Sequence, residues 1–301
     1  MDESSIIDML FEKSELNPWD DDCALIEGKF LITTDSMSEN THFRRKWSTP
    51  EDLAIKLFHS NLSDISSSGG AAEWCLVNLG IPENIKEEST NIFIKSLVKE
   101  ASLFHCKIIG GDTFRSESLQ LTLTMGGKIK KRHLARKGGK AGDTLYITGN
   151  PGLSFLGLKY LSKTIKSLPR ELKNMALERH LRPRARMEWA LKIAEEKKVH
   201  AGMDLSDGIF QDAEKLARAS DVGLRIDMDK IPLIQGIEDY LSMEEIISGG
   251  EDYEIMFLGQ AGLQFPFPVT AIGLADSDFT GVSYTQNGKI FDIKFTGFKH
   301  F

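Results

Sequence analysis

Gly202-Met203-Asp204-Leu205-Ser206-Asp207-Gly208-Ile209 places two carboxylates and a hydroxyl within four residues. Oxygen donors packed this tightly suit a hard cation such as magnesium. Taken alone, the stretch reads equally as a capped helix. Ile209, Phe210, Ala213, Leu216 and Ala217 repeat at helical spacing, and Ser206 or Asp207 is a natural N-cap. Repetition elsewhere weighs toward chemistry. Asn61-Leu62-Ser63-Asp64 is a second Leu-Ser-Asp, while Ile32-Thr33-Thr34-Asp35 and Ile108-Ile109-Gly110-Gly111-Asp112 end apolar runs on Asp. Apolar runs or helix edges that end repeatedly in Asp beside Gly, Ser or Thr point to one shared cation site.

The elements that must position these groups follow from periodicity. Residues 4–14 predict a short helix, and Asp20, Asp21 and Asp22 follow in a loop, where such carboxylates are ordinarily solvated. Lys29 to Thr34 predicts a buried strand with Asp35 just past its end. His42 and Phe43 fall in a polar loop, where a lone His is ordinarily structural or solvated. Ser48 and Glu51 have capping-box spacing and Pro50 suits a first turn, so a helix starts there and delivers Asp64 near its C-terminus. The Ser/Gly-rich segment after Asp64 should break it. Strands are expected over Trp74–Leu79, Lys107–Ile109 and Leu119–Met125, with a helix over 91–104. Residues 130–143 are basic and Gly-rich, which reads as a linker or a phosphate-facing cluster. Beyond it, Thr144–Thr148, Ala201–Leu205 and Val222–Met228 read as strands, 153–162 and 183–197 as helices, and Asn287-Gly288 as a hairpin turn. Strands and helices mix without strict alternation, so the fold class is α+β in two domains, split at 137/138.

Bulk properties narrow the function. The 301 residues are enough for two cores, and 41% hydrophobic with 27% charged residues is ordinary for a globular protein. No apolar run approaches the roughly 20 residues of a membrane span. The N-terminus is acidic, unlike a signal or transit peptide, so a cytoplasmic location is expected. With 37 basic against 44 acidic residues the net charge is −7, which argues against nucleic acid as a partner. Cys23, Cys75 and Cys106 are scattered, so buried reduced thiols are expected.

Taken in order, Asp21-Asp22-Cys23-Ala24-Leu25, Thr34-Asp35, Asn40-Thr41-His42-Phe43, Asn61-Leu62-Ser63-Asp64, Gly110-Gly111-Asp112-Thr113, Asp204-Leu205-Ser206-Asp207-Gly208 and Ser248-Gly249-Gly250-Glu251-Asp252-Tyr253-Glu254 resemble the thiamine-monophosphate kinase family. The resemblance spans nearly the whole chain. It implies ATP, magnesium and thiamine monophosphate as reactants and thiamine diphosphate as product. It also implies a homodimer formed through an N-terminal α/β sheet domain, with a C-terminal α+β domain closing the site. Carried over by motif, Asp22, Thr33, Thr34, Asp35, Asp64, Asp112, Asp204 and Asp207 would hold magnesium. Phe104, Gly111, Asp112, Arg136 and Ser206 would contact ATP; His42, Glu251 and Phe298 would contact the thiamine phosphate. Phe104 and Phe298 stand where the family usually has Tyr, or Tyr or Trp, and Phe298 has packing on its own domain as the alternative role.

The implied chemistry accounts for what is missing. A phosphate monoester has its second pKa near ~6 and is largely ionised at neutral pH, so the nucleophile needs no general base. Positioning and charge neutralisation must supply the rate. Neither a Gly-x-x-x-x-Gly-Lys-Ser/Thr loop nor a Gly-x-Gly-x-x-Gly fingerprint occurs. Two rivals stand beside this reading: another ATP-dependent enzyme of the same fold, and a nucleotide-binding regulatory protein without turnover. Selenophosphate synthetase would want a reactive Cys near its N-terminus, and the hydrogenase-maturation enzyme a C-terminal Cys. Here Cys23 reads as packing, and the chain ends in Lys299-His300-Phe301.

Overall fold

The computed structural model describes residues 3–12, 17, 19–291 and 293. The first half contains α1 (Glu3–Phe11), β1 (Ala24–Ile26), β2 (Phe30–Ser38), α2 (Pro50–Ser67), β3 (Gly70–Ile81), α3 (Glu87–Leu103), β4 (Lys107–Arg115) and β5 (Gln120–Ile129). Its five strands form one sheet in the order β1-β2-β5-β3-β4, antiparallel except where β3 pairs with β4. The second half contains β6 (Thr144–Thr148), α4 (Leu153–Leu161), α5 (Arg170–Leu181), α6 (Met187–Glu195), β7 (Val199–Leu205), α7 (Ile209–Ser220), β8 (Gly223–Asp227), α8 (Met243–Ser248), β9 (Glu254–Gly259), β10 (Val269–Asp276), β11 (Gly281–Gln286) and β12 (Lys289–Ile290). These strands form a second sheet, β12-β11-β8-β10-β6-β9-β7, in which only β8 and β11 run parallel. The architecture is α+β around two sheets.

Helix α2 joins the halves. It packs on β2, β3 and β5 on one side and on β7, α5 and α6 on the other. Leu53, Leu57, Phe58, Leu62 and Ile65 enter the first core, while the polar Lys56, His59, Asn61, Ser63 and Ser67 are buried too. Burying so many polar groups requires partners from other elements, and those partners define the site described below. The helix starts one residue later than the sequence indicates: Thr49 is its N-cap, and Thr49 and Asp52 form the capping box reciprocally at 3.2 and 2.8 Å. It also runs through the serines to Ser67. Ser66 donates back to the Leu62 carbonyl and Ser67 to the Asp64 carbonyl, so their hydroxyls do not compete with the backbone. Only Gly69, at a φ of 82°, turns the chain away.

Other boundaries move for identifiable reasons. β2 continues to Ser38 because every residue from Phe30 pairs with β5, so Asp35 lies inside the strand rather than beyond it. The neighbouring strands extend likewise: β3 spans Gly70–Ile81, and β4 runs on through Gly110, Gly111 and Asp112. Helix α5 has only Leu172, Ala176 and His180 buried, too narrow an apolar stripe to stand out in the sequence. Asn287 and Gly288, with φ of 52° and 70°, make the tight turn between β11 and β12 that their types indicate. No helix among the described residues is long and apolar enough to cross a membrane.

Candidate active site

Three elements bring the carboxylates together. Alternation along β2 turns Thr33 and Asp35 toward α2 and sends Thr34 to the other face, where its hydroxyl meets Thr124 at 3.0 Å. Helix α2 supplies Asp64, whose Oδ2 accepts from Thr33 at 2.6 Å, and Ser63, which donates to Asp204 Oδ2 at 2.7 Å. Asp204 comes from β7. Asp22, from the loop before β1, joins them: its Oδ2 accepts from Ser67 at 3.3 Å and faces the Asp204 N–H at 3.4 Å. Asn61 Oδ1 accepts the Asp35 N–H at 3.2 Å, which ties β2 to α2.

The electrostatics follow from crowding. Burial, then the charges of Asp35, Asp204 and Asp22, push Asp64 well above the usual carboxylate range. Burial, then Asp22 and Asp212, do the same to Asp204. Asp35 rises to about 6 through burial, reinforced by Asp207 and Asp22. Burial also raises Asp22, against the opposing pull of Arg136, whose Nε donates to it at 2.9 Å. Asp204 Oδ1 is buried without a hydrogen-bond partner among the described residues. An orphaned oxygen in an all-oxygen, mutually repelling set fits a hard divalent cation. Among the described residues no three His, Cys, Asp or Glu side chains stand as a ready three-ligand site, and Arg136 and Lys215 instead pair with Asp22, Asp207 and Asp212.

Asp207 is not the cap of α7. Gly208 takes that position, with φ of 95°, and the Asp207 side chain pairs with Lys215 while its N–H donates to Asp212 Oδ2 at 2.9 Å. Glycine is required because a Cβ at 208 would lie 2.8 Å from the Gly249 carbonyl oxygen. A Cβ at Gly250 would lie 2.5 Å from the Ser206 carbonyl oxygen. The two loops are thus zipped together, with Glu251 N–H on Ser206 O at 2.6 Å and Tyr253 N–H on Leu205 O at 2.9 Å.

Beside the carboxylates opens a cavity of about 650 Å³, lined among others by Asp35, His42, Lys56, Asp64, Ser206, Asp207, Glu251 and Tyr253. Glu251 sits between Lys56 Nζ at 2.6 Å and His180 Nδ1 at 3.3 Å. Burial would raise its pKa, but Lys56 and His180 hold it far below the usual range. His42 Nδ1 accepts the Ser38 N–H at 3.1 Å, which orients its ring at the cavity wall. A second cavity, about 340 Å³, is walled by Leu53, Leu79, Phe93 and Leu121 and has no carboxylate in its lining.

Gly111, Asp112 and Phe104 stand elsewhere within the chain. β5 and β3 separate β2 from β4, so Gly111 and Asp112 lie about 14 Å across the sheet from Asp35, on an exposed edge. The Phe104 ring packs on His59 and Phe58, with centroids 5.2 and 5.6 Å apart. Phe298 lies outside the described residues. The sequence reading missed Lys56, Ser63, His180 and Tyr253 as wall or second-rank partners of the site. Lys56 carried a signal: a charge inside the run Ala54-Ile55-Lys56-Leu57-Phe58 needs a buried partner.

Residues 20–129 match the AIR synthase related protein N-terminal domain, and residues 140–261 the corresponding C-terminal domain. The chain is therefore a two-domain protein of the AIR synthase related class. Thiamine-monophosphate kinase of Leptospira interrogans is 40% identical over 99% of this chain and 97% of its own length; that of Aquifex aeolicus is 31% identical over 99% and 98%. A solved structure described as AaThiL complexed with AMPPCP and TMP aligns with a TM-score of 0.89 at 30% identity, covering 100% of this chain and 97% of that one. The chain belongs to the thiamine-monophosphate kinase family. A HypE–HypF complex, at 16% identity and a TM-score of 0.76, shares the fold.

Proposed function

We propose that this protein transfers the γ-phosphoryl group of ATP directly to the phosphate of thiamine monophosphate, giving thiamine diphosphate and ADP. The observation that carries the reading is the convergence of Asp22, Asp35, Asp64 and Asp204 beside a cavity walled by His42 and Glu251. The relative solved with AMPPCP and TMP supports the same pair of reactants. An acceptor phosphate oxygen attacks the γ-phosphorus in line; the bond to the bridging oxygen breaks and its electron pair leaves with ADP. The acceptor is already ionised, so no base is needed at the attacking atom. Its residues instead orient two anions and neutralise their repulsion.

Asp22, Thr33, Asp35, Asp64, Asp204 and Asp207 would hold magnesium, which supplies charge compensation to the phosphates when bound. Arg136 and Ser206 border this set and would face ATP, while His42 and Glu251 face the thiamine phosphate. Gly111, Asp112, Thr34 and Phe104 are outside the cavity of a single chain. We also infer that the protein works in the cytoplasm as a homodimer, and that its domains divide at 137/138, where no regular element lies between Ile129 and Thr144. The β4 edge exposes Ile108, Ile109 and Phe114, an apolar strand edge that a second copy would cover. Incubation with ATP and magnesium, with and without thiamine monophosphate, tests the activity. ADP and thiamine diphosphate should form in equal amounts and only when the acceptor is present; acceptor-independent ADP release refutes it.

A further inference from the structure

The loop from Gly249 to Tyr253 holds two non-glycine residues in the left-handed region, Glu251 at a φ of 67° and Tyr253 at 49°. Such conformations are costly, and they persist where the surroundings impose them. Here four hydrogen bonds do so. The N–H groups of Glu251 and Tyr253 are bound to Ser206 and Leu205. Between them, Asp252 points the other way, and its carboxylate accepts the Gly152 and Ser154 N–H groups at 2.7 and 3.2 Å, at the start of α4. The consequence is directional: Glu251 and Tyr253 both line the cavity while Asp252 anchors the loop from behind.

Glu251 has its own partners in Lys56 and His180, but the Tyr253 hydroxyl has none among the described residues, although the residue is only 8% exposed. The charges that act on this phenol are those of Glu251, Asp35, Asp204 and Asp64. The cavity lining joins Tyr253 to Glu251 and His42, proposed for the thiamine phosphate, on one hand and to Asp35 and Asp64, proposed for the metal ions, on the other. That junction is where the acceptor phosphate must meet the γ-phosphoryl group. A phenol is protonated at neutral pH, so the hydroxyl is a donor among acceptors. A protonated hydroxyl can pair with an anionic phosphate oxygen in a region where every neighbouring carboxylate repels it.

We propose that Tyr253 is a positioning and specificity residue of the reaction, donating its hydroxyl hydrogen to the acceptor phosphate and holding that phosphate in line for transfer. This role rests on the reaction proposed above. Tyr253→Phe removes only the hydroxyl and keeps the ring and the backbone preference. A lost charge-assisted hydrogen bond should lower kcat/KM for thiamine monophosphate roughly 10- to 100-fold. The KM for ATP should stay within twofold and the melting temperature without ligands should be unchanged. A kcat/KM within threefold of wild type overturns the role. So does a fall accompanied by an equal rise in the KM for ATP or by a lowered melting temperature, since loss of packing would move all three. Wild-type protein that makes no thiamine diphosphate refutes the reaction itself, and this is seen before any variant is compared.

Discussion

Lys56→Met removes the ammonium 2.6 Å from Glu251 Oε1 and keeps most of the aliphatic stem. Lys56 is 4% exposed, so solvent cannot replace its charge, whereas the Glu251 side chain keeps 29% of its surface open toward the cavity. Removing one partner of a fully buried pair costs about 3–5 kcal/mol. Partial solvation of Glu251 reduces this to about 1–3 kcal/mol at pH 8. At roughly 2–4 °C per kcal/mol for chains of a few hundred residues, the melting temperature should fall by about 2–12 °C. The loss should also depend on pH in a defined direction. In the wild type, burial first and Lys56 second hold His180 below its ordinary value. The folded protein then binds fewer protons there than the unfolded chain, so this residue adds stability as pH rises toward ~6.5. Without Lys56, the Glu251 carboxylate is the remaining charge at His180 and raises its pKa. Burial still holds that pKa down, but by less than in the wild type, so the variant gives up less stability as pH falls below the unfolded value. The gap in melting temperature between wild type and variant should therefore be small at pH 5.5 and largest at pH 8. Scanning calorimetry of both proteins at the two pH values measures it; a gap equal at both, or below one degree throughout, refutes the reasoning.

Three further outcomes are expected. Asp204→Asn keeps the Ser63 contact and removes a charge from the repelling set, so the ligand-free protein should melt no lower than wild type while kcat falls at least tenfold; normal turnover per folded molecule would refute a metal-holding role. Added magnesium and ATP should raise the melting temperature of this variant less than that of wild type, by linkage, and equal rises would count against the same role. Ile109→Arg, on the exposed edge strand β4, should convert a sedimenting dimer to monomer without lowering the helical content; a monomeric wild type at micromolar concentration would refute the dimer.

Much of this protein was legible in its sequence. The carboxylate motifs stood out because their chemistry is carried by residue type and short spacing. The strand at Thr144–Thr148 and the Asn287-Gly288 turn follow from local propensity alone. Boundaries were lost where pairing overrode local signals, as when β5 extended β2 past Asp35. The side of the sheet on which Thr33 and Thr34 project depends on register, which β5 sets. Only the tertiary structure decided which groups meet. Ser63 and Asp204 are 141 residues apart in the chain, and Lys56, His180 and Glu251 come from three separate elements. It also placed Asp112 on an outer strand, away from motifs it resembles in sequence, because strand order is a long-range property. A short motif specifies what an oxygen can bind; the packing of α2 between two sheets specifies which oxygens share one space.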